Sequence, residues 1–153
     1  LVASLPTSTI GSTSFSAKSM VSSLVSSVIF TFAIREIPKD VKNTMAYAEI
    51  DRDDIDYVVF HQANEYMNNY LAKKLKFDSD KCPICLDRFG NTSSVSIPLT
   101  IATQLQDELK SDKKKLLLCG FGVGMSWATA VINSPGMVIS DLVEVGRLSN
   151  IFL

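Results

Sequence analysis

Histidine and tryptophan are nearly missing from this sequence. His61 is the one imidazole among 153 residues and Trp127 the one indole, so either side chain's chemistry has a single address. Cysteine is scarce too. Three is an odd count in a chain that is not a short secreted one, which argues against a disulfide framework. Reduced thiols in a cytoplasmic compartment are expected instead. Neither sign of charge is in excess: fifteen basic residues face sixteen acidic ones, a net charge of -1. No general basic surface therefore points to nucleic acid. Long apolar runs are missing as well. Two uncharged spans open the chain, residues 1–17 and 19–34, and the second holds five serines. It is shorter than the roughly 20 apolar residues a spanning helix needs. A basic lead followed by a clean apolar run is also lacking, so neither a membrane span nor a targeting signal is expected.

What is present suits one globular domain. The chain is 46% hydrophobic, and its length permits a real core. Residues 1–29 stand apart, with ten serines, one charge at Lys18 and no acid. They read as a disordered lead, or as a strand with loops belonging to something larger. The first residue is Leu1 rather than Met, as expected of a fragment or a processed product. From Phe30 the pattern becomes regular. Phe30, Ile34, Ile37, Val41 and Met45 recur at helical spacing. Pro38 should kink that helix or mark its true start. Asp51–Asp54 is a polar turn, and Tyr57–Phe60 reads as a buried strand. A second helix is predicted from Asn64, its N-cap, with Met67, Tyr70, Leu71 and Leu75 on the apolar face. A third carries Ile97, Ile101, Leu105 and Leu109, with Pro98 in its first turn. Leu116–Cys119 and Met125–Ile132 read as strands close enough to pair as a hairpin across a Gly120–Gly124 turn. Lys113-Lys114-Lys115 reads as a solvated loop. Helices interleaved with strands predict an α/β layered domain.

Three loops could converge on a site. His61-Gln62-Ala63-Asn64 packs three hydrogen-bonding side chains where a strand should end, and strand ends are where α/β sites tend to lie. Asn91 stands in a second loop of small residues, and Gly122 and Gly124 frame a third. On its own, His61 is more often a packed or surface histidine. The neighbours change that balance.

His61-Gln62-Ala63-Asn64, then Gly90-Asn91-Thr92-Ser93-Ser94, then Gly120-Phe121-Gly122-Val123-Gly124-Met125-Ser126-Trp127 form an ordered set. Together with Phe30–Arg35 and Ser96-Ile97-Pro98-Leu99, the set resembles ketoacyl-ACP synthase III enzymes over about residues 30–145. That resemblance implies the C-terminal half of a thiolase fold, an αβα arrangement of sheet and helices, and covers about half of a full family member. It also implies decarboxylative Claisen condensation of an acyl thioester with a malonyl thioester, as in fatty acid biosynthesis. His61 and Asn91 match the family's catalytic pair, which hydrogen-bonds the malonyl thioester oxygen. A neutral imidazole and a carboxamide are both donors, and decarboxylation places negative charge on that oxygen. Gln62, Asn64, Gly122, Val123 and Gly124 are the implied substrate-binding residues, with the backbone N–H of Val123 helping to hold a second oxyanion. The substrates are acyl-CoA and malonyl-ACP or malonyl-CoA, with no further cofactor and no metal. The implied partners are the N-terminal half of the same fold, acyl carrier protein or CoA thioesters, and a second copy in a homodimer.

Several positions depart from the family. Its nucleophilic Cys lies upstream and has no match in Cys82, Cys85 or Cys119. Tyr66 stands where relatives often carry an Arg associated with carrier-protein docking, and Val123 replaces a usual Gly. Cys82-Pro83-Ile84-Cys85 supplies only two of the four ligands that structural zinc requires. Gly120-x-Gly122-x-Gly124 lacks the spacing of a dinucleotide loop and leads into a strand. Gly124-Met125-Ser126-Trp127-Ala128 misses the last Gly of a nucleophile elbow. Trp127 is expected in the core, and Glu65 as an exposed first-turn carboxylate. Two further readings stand beside the synthase: a non-catalytic dimerisation or interaction module, and a divergent acyltransferase to an alcohol or amine. The division expected is a Ser-rich segment over 1–29, the family-like domain over 30–145, and a tail over 146–153.

Overall fold

The computed structural model describes residues 17–122, 124–135 and 137–143. Val123 and the tail over 146–153 lie outside them, as does most of the Ser-rich segment. Residues 17–29 are helical, which overturns the strand or disordered reading for that stretch. They open α1, Ala17–Tyr47. No Gly or Pro lies between Ala17 and Pro38, so nothing in the sequence stops the helix from extending back from Phe30.

Pro38 lies inside α1 and does not mark its start. Proline has no N–H to give, so the carbonyl four residues earlier loses its helical partner. That carbonyl belongs to Ile34. The Lys74 ammonium donates to it at 2.6 Å. One side chain thereby repairs the helix and ties it to α2, Glu65–Leu75.

The sheet has three strands, β1 (Tyr57–Phe60), β2 (Lys114–Gly122) and β3 (Ser126–Ser134), in that spatial order. β1 and β2 are parallel, with Val58 opposite Leu117. β2 and β3 form the expected antiparallel hairpin, with Leu117 opposite Val131. Lys114 and Lys115 are already in β2, so the lysine run is not a loop. Lys115 N–H donates to Asp56 Oδ2 at 2.7 Å. Gly120 and Gly122 also belong to β2. The turn is tighter than expected, with Gly124 at φ 100° and Met125 at φ 47°.

Alternation along the strands decides what covers each face. Val58, Phe60, Leu117, Cys119 and Phe121 meet Ile37 and Val41 of α1 and Met67 and Leu71 of α2. Val59 and Leu116 point the other way, onto Leu105 and Leu109. The sheet therefore lies between two helical layers. After a single turn, α3 (Leu86–Phe89), the predicted third helix is two: α4 (Ser96–Gln104) and α5 (Gln106–Ser111). Leu105 leaves helical geometry at φ -125°, ψ 7°, yet its side chain stays buried beside that of Leu109. No Gly or Pro announces that break. On α2, Met67, Leu71 and Leu75 are buried as expected. Tyr70 instead sits at the rim, edge-on to Phe30 with ring centroids 6.0 Å apart.

Candidate active site

His61 directly follows β1. Its N–H donates to the Cys119 carbonyl at 2.8 Å and extends the parallel ladder by one bond. The backbone leaves the sheet there, and the imidazole stands edge-on to Phe121 of β2, with ring centroids 5.4 Å apart. Nδ1 lies 2.7 Å from Ser96 Oγ at the start of α4. The ring is half-buried, and that burial pushes its pKa below the ordinary 6.5. The Ser93 backbone, hydrogen-bonded to the ring, opposes the shift. A carbonyl beside an imidazole favours its protonated form, whereas burial disfavours it. Burial wins, and the ring is neutral at neutral pH.

Asn91 reaches the same place from another loop. Gly90 precedes it at φ 62°, ψ -157°, a conformation only glycine adopts without strain. The Asn91 carbonyl oxygen accepts from Ser93 N–H at 2.9 Å. That leaves Nδ2 as the outward end of the amide, and it donates to the Ala63 carbonyl over a long 3.4 Å. An amide nitrogen carries two hydrogens, and this bond engages one of them.

His61 and Asn91 line one cavity of about 850 Å³, together with Ser93, Ser96, Gly120 and Gly122. Phe121 and Trp127 supply aromatic wall. Trp127 is not in the core. It is 42% exposed and packs edge-on to Phe32 with centroids 5.0 Å apart. The reason is its place on β3, an edge strand whose residues near the turn are solvent-facing.

The remaining expected residues are placed differently. Gln62 is fully buried. Its amide nitrogen donates to the Phe60 carbonyl at 3.0 Å and its oxygen accepts from Cys85 N–H at 3.2 Å. Asn64 caps α2, its Oδ1 accepting from Met67 N–H at 2.8 Å. Both side chains thus hold the loop on which His61 stands. Gly124 forms the hairpin turn and is not part of the cavity wall, and Val123 is outside the described residues. Glu65 is exposed, as expected of a first-turn carboxylate.

The three cysteines are buried and unpaired. Burial, then the carboxylates of Asp80 and Asp78, push the Cys82 thiol up to about 12, and burial does the same to Cys119. Such thiols are poor nucleophiles. Among the described residues, no group of three or more His, Cys, Asp or Glu could hold a metal ion. None of the described helices is long and apolar enough to cross a membrane.

The model of the 3-oxoacyl-[acyl-carrier-protein] synthase III C-terminal family matches residues 45–134. That span takes in His61, Asn91 and the hairpin. The chain belongs to that family. A beta-ketoacyl-[acyl-carrier-protein] synthase III of Streptococcus gordonii is 41% identical over 106 residues, 68% of this chain and 33% of that protein. One of Lactococcus lactis subsp. cremoris is 37% identical over 107 residues, 69% of this chain and again 33% of that protein. Among solved structures, a 3-oxoacyl-(acyl-carrier protein) synthase of Burkholderia xenovorans superposes with TM-score 0.76 at 41% identity, covering 78% of this chain and 34% of that one. A synthase III of Thermus thermophilus gives 0.68 at 30% identity, over 72% and 35%. The fold is the thiolase-like α/β arrangement that the resemblance implied. The chain spans about a third of the length of the relatives it matches, less than the half expected.

Sequence reasoning overlooked Ser96, Phe121 and Trp127 as parts of this site. Ser96 had one available signal, a hydroxyl opening an otherwise apolar helix directly after the Asn91 loop. The two aromatics had none, because strand alternation alone does not say which face borders a cavity.

Proposed function

We propose that this chain is the malonyl-activating part of a 3-oxoacyl-ACP synthase III-type enzyme, which condenses an acyl thioester with a malonyl thioester and releases carbon dioxide. The observation that carries the reading is the opening of His61 and Asn91, thirty positions apart, onto one cavity. A thioester oxygen between them would accept from a neutral imidazole N–H and an amide N–H. As the malonyl carboxylate leaves, the electron pair passes through the new enolate to that oxygen. Two fixed donors then stabilise charge that water would otherwise have to reorganise around. The enolate carbon attacks the carbonyl of an acyl thioester on a cysteine outside this chain, since the cysteines here are buried, and collapse of the resulting oxyanion breaks the C–S bond and releases the cysteine as thiolate. Gly122 lines the cavity, and the resemblance implies the backbone N–H of Val123 for the second oxyanion. Gln62 and Asn64 act by bracing the His61 loop rather than by touching substrate.

The implied substrates are malonyl-ACP or malonyl-CoA and an acyl-CoA, with no resident cofactor. The implied partners are the acyl-bearing N-terminal half, a carrier protein or CoA, and a second copy. Residues 30–145 form the synthase III C-terminal-like domain in this reading. A cytoplasmic setting suits its three reduced thiols. Tyr66, 70% exposed and stacked on Phe30 at 5.6 Å, stands where relatives often carry the carrier-docking Arg, so this position supplies no charge for an acidic carrier.

The test is carbon dioxide release from malonyl-CoA and malonyl-ACP by the protein together with its acyl-bearing half. His61→Ala and Asn91→Ala should each lower release about 10²–10³-fold. Release unchanged in His61→Ala removes this role for the imidazole.

A further inference from the structure

Ser96 is 1% exposed, and its side-chain oxygen has two neighbours. The backbone N–H of Gln62 donates to it at 3.3 Å, and His61 Nδ1 lies at 2.7 Å. A hydroxyl has one hydrogen and two lone pairs. A backbone N–H can only donate, so the Gln62 contact occupies a lone pair and leaves the hydrogen uncommitted. Nearby polar groups do not claim that hydrogen. Thr100 Oγ1 bonds the Ser96 carbonyl at 2.8 Å, and the Cys85 thiol meets Thr100 rather than Ser96. The short contact to Nδ1 is then the one place for it.

We propose that Ser96 is a positioning residue for His61: its hydroxyl, held by Gln62 N–H, donates to Nδ1 and keeps the ring hydrogen on Nε2. In a neutral imidazole one nitrogen donates and the other accepts, and the bond at one settles the role of the other. The competing arrangement places the hydrogen on Nδ1, with Ser96 Oγ accepting twice and its own hydrogen without an acceptor in a buried site. Buried donors left unmade are rare in folded proteins. The carbonyl of Ser93 is the group that would favour that competitor if it drew a hydrogen to Nδ1. In the chosen arrangement the ring's one hydrogen is on Nε2, where a ligand oxygen competes for it with the Ser93 carbonyl. The part this plays in catalysis rests on the malonyl-activating reading, whereas the tautomer itself does not.

His61 is the sole histidine, so ¹⁵N-histidine labelling of this chain gives one pair of ring nitrogens. Long-range ¹H–¹⁵N correlation at about pH 7.5, above the ordinary histidine range, should show Nδ1 as the hydrogen-free nitrogen and Nε2 as the hydrogen-bearing one. Ser96→Ala should move both shifts toward the average of a tautomer mixture, and Ser96→Thr should keep the wild-type pattern. A hydrogen-bearing Nδ1 in the wild type overturns the proposal without any variant being needed. So does a Ser96→Ala spectrum identical to wild type. In the complete synthase, Ser96→Ala should lower malonyl decarboxylation about 10–100-fold, the size of effect seen when a metal-bound histidine loses its orienting partner, with recovery in Ser96→Thr. If His61→Ala leaves decarboxylation intact while the tautomer is as stated, the synthase reading fails and the Ser96 bond stands.

Discussion

His61 titrates below its ordinary 6.5 chiefly because it is half-buried. The shift has a stability consequence of definite sign. The unfolded chain binds the proton more tightly than the folded one, so protonation favours unfolding. The stabilising contribution is fully present above about pH 6.5 and falls away as pH drops through the folded value. Urea midpoints measured at about pH 7.5 and about pH 5.5, on either side of the ordinary histidine value, should therefore differ, the lower pH being less stable. In His61→Gln part of that difference should vanish. The same neutrality suits a ring that donates a hydrogen bond without carrying charge into the cavity.

Two contacts repair weaknesses of single elements. Lys74 supplies the donor that Pro38 cannot give to Ile34. Lys74→Met keeps the aliphatic stem and removes the donor. It should cost about 1 kcal/mol in urea unfolding, the usual net worth of one hydrogen bond. Asn64 caps α2 through Met67 N–H. Asn64→Ala should cost about 1 kcal/mol as well. It should also loosen the loop that presents His61, visible as line broadening of the imidazole signals.

At the scale of the whole molecule, burial governs thiol chemistry. Cys82, Cys85 and Cys119 lie in or against the sheet core, at 8%, 1% and 0% exposure. Cys82 and Cys119 are pushed to about 12. A thiol-specific reagent at about pH 8, near the ordinary thiol range, should find no fast-reacting group in the folded chain and all three cysteines after denaturation. A cysteine reacting at once in the native state would contradict the packing of β1 and β2 between the helical layers.

Much was legible from residues alone, and the reason is local. Strand Tyr57–Phe60 and the α2 cap follow from side-chain type and spacing. So does the β2–β3 hairpin, because two apolar runs joined by a glycine turn have few other ways to bury themselves. The pair His61 and Asn91 was legible as an ordered pattern of motifs. Local reasoning could not supply the consequences of packing between distant elements. Pro38 passes through α1 because Lys74, on another helix, satisfies the orphaned carbonyl. The helix expected to run from Ile97 to Leu109 breaks at Leu105 without Gly or Pro, the Leu105 side chain remaining in the core. Trp127 lines the cavity beside Phe121 because the β2–β3 register sets the two opposite each other, which only the strand pairing reveals. Residue types and their spacing therefore determined most of the elements, and the ordered motifs singled out two donors, His61 and Asn91, that share one cavity. The tertiary structure alone decided what surrounds those donors, because a hydrogen bond such as Ser96 to His61 depends on distance in space and leaves no periodic trace along the chain.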